Sequence, residues 1–196
     1  TVDIASGVRC GFAWMNFDGV LGNKTLRQAI LMAIDNDTIC NSRTIGGLYT
    51  PGFSVLPSTL NYDYDKLENP YTYDPEKAKQ ILDDAGIVHF GYDETAVMDV
   101  KGIKVGLVGI YELYDHLERE QQLKDNIAKV KADGAQLIVV IFHWGNETET
   151  VPDSNQTTLG RIAIDEGADL VCGHHPHVLQ GIETYKGRNI VYSLGN

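Results

Sequence analysis

Cysteine and positive charge are both scarce in this 196-residue sequence. Cys10, Cys40 and Cys172 form an odd set with no C-x-x-C spacing, which fits neither a disulfide framework nor a zinc motif. They read as small buried or free thiols. Lysine and arginine number 16 against 27 acidic residues, for a net charge of −11. That balance argues against a nucleic-acid partner, because phosphate backbones are held by Lys and Arg patches; the acidity itself reads as solubility. No apolar run reaches the roughly 18 residues of a membrane span, so no transmembrane segment is expected. Thr1 is followed by no basic-then-apolar leader, as would also be true of a mature secreted protein. Internal repeats and low-complexity tracts are missing as well.

What is present is ordinary globular material, 43% hydrophobic and 22% charged, enough for one large domain or two small ones. The pattern changes between Ile87 and Tyr92, so the boundary is expected to divide residues 1–88 from 89–196.

Residues 1–88 read as an irregular, mainly helical segment. A helix is expected from Thr25, with Thr25 and Gln28 as a capping box and Leu26, Ala29, Ile30, Ala33 and Ile34 on one face. A short second helix follows Asp37. Between Gly46 and Tyr73 lies a stretch rich in Gly, Pro, Asn, Asp and Tyr, and a loop that long usually wraps something or lines a site. Asp74 then caps a third helix with Pro75 in its first turn and Ala78, Ile81, Leu82 and Ala85 as its buried stripe; Gly86 ends it.

Residues 89–196 alternate as β-α-β-α-β. Strands are expected at Lys104–Ile110, Gln136–Phe142 and Asp169–Cys172, the first two as continuous apolar runs of the buried parallel kind. Helices are expected at Leu117–Ala132 and Leu159–Glu166. The tail alternates as a hairpin around Lys186-Gly187-Arg188.

Four of the six histidines gather at two places. His143 follows the second strand, and Gly173-His174-His175-Pro176-His177 follows the third. Ligands in open parallel sheets bind outside the carboxyl ends of strands, and imidazole is the commonest metal ligand near neutral pH. Pro176 stiffens the link between His175 and His177, so both can aim at one ion. Glu147 stands four residues after His143 and can add a carboxylate or orient a ligand. The bland alternative is four loop histidines making hydrogen bonds. Trp144 reads as packing, Asp169 as a strand-start residue and Asp165 as a solvated helix residue. His89 and His116 show no partners and receive no role.

His143-Trp144-Gly145, Gly167-Ala168-Asp169, Gly173-His174-His175-Pro176-His177-Val178 and Tyr192-Ser193-Leu194-Gly195-Asn196 resemble the signature of the poly-γ-glutamate capsule-biosynthesis (CapA) family, itself similar to calcineurin-like metallophosphoesterases. The resemblance implies half of a metallophosphoesterase-like layered α/β fold, acting in capsule polymer handling by metal-assisted hydrolysis or transfer at phosphate. It implies Mn, Fe or Zn held by His143, His175 and His177, with His174 a further candidate. Ser193 and Asn196 would touch a polyglutamate or phosphate-containing substrate beside Glu147. Such centres take further ligands from amino-terminal Gly-Asp and Asn-His motifs. No Asn-His pair and no apolar strand ending in Gly-Asp occurs upstream of residue 89, so only the C-terminal half of the ligands is expected. The residues name no general acid or base.

Leu26-Arg27-Gln28-Ala29-Ile30, Ala33-Ile34-Asp35, Gly46-Gly47 and Tyr73-Asp74-Pro75-Glu76-Lys77-Ala78-Lys79 resemble the family 5 extracellular solute-binding proteins of peptide and nickel importers. That resemblance implies a peptide-binding module, with Trp14, Phe17, Tyr49, Phe53, Tyr62 and Tyr64 as candidate groove residues. Packing is the plainer role for those aromatics. Together the two resemblances imply a bacterial, extracellular or envelope-associated chain joining two partial domains; an inactive structural chimera is the third reading.

Overall fold

The computed structural model describes residues 15–42, 50–54, 58–60, 63 and 66–195. Cys10, Trp14, Gly46, Gly47, Tyr49, Tyr62, Tyr64 and Asn196 lie outside the described residues. Two compact units divide the chain, Thr1–Ile87 and Val88–Asn196.

In the first unit three helices are described, α1 (Lys24–Ala33), α2 (Asn36–Asn41) and α3 (Pro75–Asp84), with α1 packed on α3. The expected Thr25/Gln28 capping box does not form. Asn23 caps α1 instead, its side chain accepting from the N–H groups of Thr25 and Leu26, while Gln28 reaches Tyr71 Oη at 3.2 Å. Asn is an equally good cap, and it sits where the chain leaves extended geometry. Asp74 caps α3 through Lys77 N–H as expected, and Gly86 closes it at φ 66°. Burial falls short of the expected stripes, for only Ala29 and Ala78 are buried and Ala33 and Ala85 are exposed. Among the described residues no helix is long and apolar enough to cross a membrane.

The second unit is the expected α/β class, a six-stranded mixed sheet ordered β1-β2-β3-β4-β6-β5. Its strands are β1 (Thr95–Val100), β2 (Ile103–Tyr111), β3 (Leu137–His143), β4 (Leu170–His174), β5 (Ile182–Tyr185) and β6 (Arg188–Val191). β2, β3, β4 and β6 run parallel, and β1 and β5 pair antiparallel at the two edges. Helix α4 (Glu120–Ala132) crosses from β2 to β3, and α5 (Ser154–Asp165) from β3 to β4. Leu123, Ile127 and Val130 of α4 and Leu159, Ala163 and Ile164 of α5 cover Val108, Ile110, Ile138, Val140, Phe142 and Val171 of the sheet. Each fully buried side chain of this kind stabilises by about 1.5–3 kcal/mol.

Three expectations need correction. β1 was not anticipated. The two-residue loop Lys101-Gly102, at φ 55° and 85°, is a hairpin turn that returns the chain into β2. Helix α5 begins five residues before the expected Leu159, because Asp153 and Gln156 form a reciprocal capping box. His89 and His116 do have partners: His89 Nδ1 stands 3.1 Å from Glu94 and His116 Nδ1 2.8 Å from Glu112.

Candidate metal centre at the carboxyl edge of the sheet

Parallel register sets the histidines side by side. Tyr111, His143 and His174 end β2, β3 and β4 as successive Cα partners. Alternation then divides the strand ends between two faces. Phe142 and Trp144 go to the helix side and are fully buried, whereas His143 and His174 go to the other face and are half-buried. The Tyr111 and His143 rings stack with centroids 5.4 Å apart and 7° between planes. The His175 ring follows at 4.7 Å from His143, and that of His177 at 5.6 Å from His175.

Backbone geometry aims the last two rings. His175 and His177 adopt φ 97° and 58° on either side of buried Pro176. Such conformations cost a non-glycine residue about 1–3 kcal/mol and concentrate at functional sites. The loop after β3 meets this one, since Thr148 N–H donates to the Pro176 carbonyl at 2.7 Å. Glu147 Oε1 thereby stands 4.0 Å from His177 Nε2. One donor atom each of Glu147, His175 and His177 lies within 4.8 Å of the others.

Of the residues singled out in the sequence, this group takes Glu147, His175 and His177. His143 joins through its ring contact with His175, and His174 stays in the strand beside His143. Ser193 is 1% exposed, and its Oγ accepts from Gly195 N–H at 3.3 Å. Burial, with the neighbouring His175, His174 and His177, pushes His143 below the ordinary histidine range. The shift favours the neutral imidazole, the form that ligates.

The group fits one borderline divalent cation. Donors at about 2.0–2.2 Å from an ion lie at most ~4.4 Å apart, so a group within 4.8 Å needs to close by at most a few tenths of an ångström, and its exposed members Glu147 and His177 already stand 4.0 Å apart. Two imidazoles and a carboxylate suit Zn, Fe or Mn.

Glu112 is a further residue at this edge, outside the expected site. Its side chain is buried, 1% exposed, at the end of β2. Its N–H donates to the His143 carbonyl at 2.9 Å, and its Oε1 meets His116 Nδ1 at 2.8 Å. A glutamate directly after an apolar strand, with histidine four residues on, was the available signal.

Comparison with known proteins extends both resemblances. Residues 76–196 match the family model "Bacterial capsule synthesis protein PGA_cap", and residues 1–101 match "Bacterial extracellular solute-binding proteins, family 5 Middle". The PGA biosynthesis protein CapA of Bacillus subtilis (strain 168) is 31% identical over 174 residues, covering 80% of this chain and 45% of that protein. The Dipeptide-binding protein of Escherichia coli (strain K12) is 27% identical over 143 residues, covering 71% of this chain and 24% of that protein. Among solved structures, a putative 5'-nucleotidase from Staphylococcus aureus in complex with α-ketoglutarate aligns with a TM-score of 0.39 and 18% identity, over 52% of this chain and 24% of that one. The chain thus spans less than half the length of these relatives. It belongs to the bacterial capsule synthesis protein PGA_cap family through residues 76–196, and through residues 1–101 to the family 5 middle domain of bacterial extracellular solute-binding proteins.

Proposed function

We propose that the C-terminal unit supplies the histidine side of a metallophosphoesterase-type centre serving poly-γ-glutamate capsule synthesis outside the bacterial membrane. The reaction would be hydrolysis or transfer at a phosphate or acyl-phosphate group, on a polyglutamate or phosphate-containing substrate. One observation carries this reading, the convergence of Glu147, His175 and His177 within 4.8 Å. Those residues would hold the cation, with His143 as the adjoining imidazole. The cation would polarise a phosphoryl oxygen and offset its charge. The chain's own contribution is to orient the two rings through the Pro176 loop and to lend a negative charge through Glu147. In this reading, ligands from outside the described cluster complete the centre.

Metal analysis of the 196-residue chain, purified without a nickel column and titrated with Mn, Fe or Zn, tests it. About one ion per chain, lost in His175→Ala and His177→Ala, is expected. No uptake at any of the three ions sinks the proposal.

For residues 1–88 the family 5 match favours a second reading, a peptide-binding module. Calorimetry against a mixed dipeptide library should then show heat of binding without turnover. Silence across the library removes it, and silence in both experiments leaves the inactive chimera.

A further inference from the structure

Resting on the metal-centre reading, we infer that Gln180 is a positioning residue: with Gln156 it clamps the Gly145–Glu149 turn so that Glu147 faces His175 and His177. Both amides are buried, Gln156 at 0% exposure and Gln180 at 7%. They form a relay between two parts of the backbone. Asp153 N–H donates to Gln156 Oε1 at 3.0 Å, Gln156 Nε2 donates to Gln180 Oε1 at 2.8 Å, and Gln180 Nε2 donates to the Glu149 carbonyl at 3.0 Å. The two ends fix its direction, because a backbone N–H only donates and a carbonyl only accepts. Gln156 also bounds the turn at its start, where a Cβ on Gly145 would fall 2.6 Å from its Oε1. The pair thus holds both ends of the segment that carries Glu147.

Thr148, next to Glu147, sits at φ 64°. A β-branched residue in that region is strained, and such strain persists only where the surroundings over-determine it. Two hydrogen bonds do so here. Thr148 N–H donates to the Pro176 carbonyl at 2.7 Å, and the Glu149 carbonyl accepts from Gln180 Nε2. Pro176 and Gln180 belong to the same segment after β4, which also carries His175 and His177. The first tie is backbone to backbone and survives any substitution at Gln180. The second is made by the Gln180 side chain alone. Without it the Glu149 carbonyl is unpaired and Thr148 is free to relax toward negative φ, which turns Glu147 away from the two rings. A hydrogen bond of this kind shifts a two-state balance about fivefold, and apparent metal affinity falls with the population of the competent turn.

The experiment uses the full chain and Co(II) alone as probe, read by visible absorption and by amide exchange. Gln180→Met fills about the same space without the hydrogen bonds. It is expected to weaken Co(II) binding about fivefold, while the spectrum at saturation stays that of wild type, because the ion selects the same turn. In metal-free protein, exchange at Thr148 should quicken about fivefold, with the amides of β3 unchanged. Wild-type affinity, or wild-type exchange at Thr148, in a folded Gln180→Met protein overturns the inference. Faster exchange spread evenly over β3 overturns it too, as the mark of a merely structural role. If that variant does not fold, the wild-type protein decides: the Gln180 side-chain amide protons should exchange slowly with water, and exchange at the rate of a free amide overturns the clamp. If the wild-type chain takes up no Co(II), the metal-centre reading fails, and exchange at Thr148 still decides whether Gln180 holds the turn.

Discussion

The indole N–H of Trp144 donates to the carbonyl oxygen of Tyr192 at 2.8 Å, directly over the α-carbon of Gly173. A Cβ on Gly173 would fall 2.0 Å from that oxygen and 2.3 Å from the indole nitrogen, and both groups are buried. Gly173→Ala should therefore cost more than about 4 kcal/mol, the range of severe core disruption. Soluble yield and urea unfolding measure it; a variant within about 1 kcal/mol of wild type would show that the strands part freely there.

Asp169 completes the sheet where β4 begins. Its N–H donates to the Ile138 carbonyl at 2.8 Å, and its Oδ2 accepts the Ile138 N–H at 2.9 Å. Asp169→Ala leaves that buried N–H unpaired and should lose about 1–3 kcal/mol. Asp169→Asn keeps the acceptor and gives up only the ion pair with half-exposed Arg188, which is worth at most about 1 kcal/mol. Chemical denaturation of the two variants separates these contributions, and equal losses would refute the assignment.

His174 ends β4 as the Cα partner of His143, and the donor group comprises Glu147, His175 and His177. His174→Ala is accordingly expected to keep metal affinity within about threefold, because a neighbour that neither ligates nor hydrogen-bonds a ligand falls outside the tenfold-or-larger class. Competition titration with a chromogenic chelator would read this, and a hundredfold loss would return His174 to the ligand set.

Burial raises the Glu112 carboxyl above its ordinary value of 4.5, while the hydrogen bond and charge of His116 pull the other way. A carboxyl raised in the folded state favours folding below its unfolded pKa, and this contribution is lost as pH rises through the folded value. Glu112→Gln does not titrate. Its stability relative to wild type should thus grow as the pH is raised from the ordinary carboxyl value of 4.5 towards neutrality. Urea midpoints across that range provide the check, and a flat or falling difference contradicts it.

Much of the second unit was legible because its strands are continuous apolar runs separated by capped helices. Edges were harder to read. Lys186-Gly187-Arg188 stands between two alternating segments and so predicts a hairpin, whereas Lys101-Gly102 makes the same kind of turn beside the continuous apolar run of β2, which carries no hairpin alternation. Thr95–Val100 is a half-exposed edge strand, and half-burial leaves only a weak apolar pattern. At the site, clustered histidines announced themselves. Glu112 did not, because the sequence does not show that its carboxylate turns inward and meets His116. In the first unit, apolar spacing predicted helices correctly but overstated burial; periodicity locates a face and does not say how fully a neighbour covers it.

The parallel centre of the sheet also bears on kinetics. Pairing β2 with β3, and β3 with β4, joins segments separated by an entire crossover helix, and loop closures of that kind precede any reward from contact. His143, His175 and Glu147 are therefore expected to meet late in assembly. A cation held there would act on the finished state, slowing escape from it while leaving the speed of its formation almost untouched.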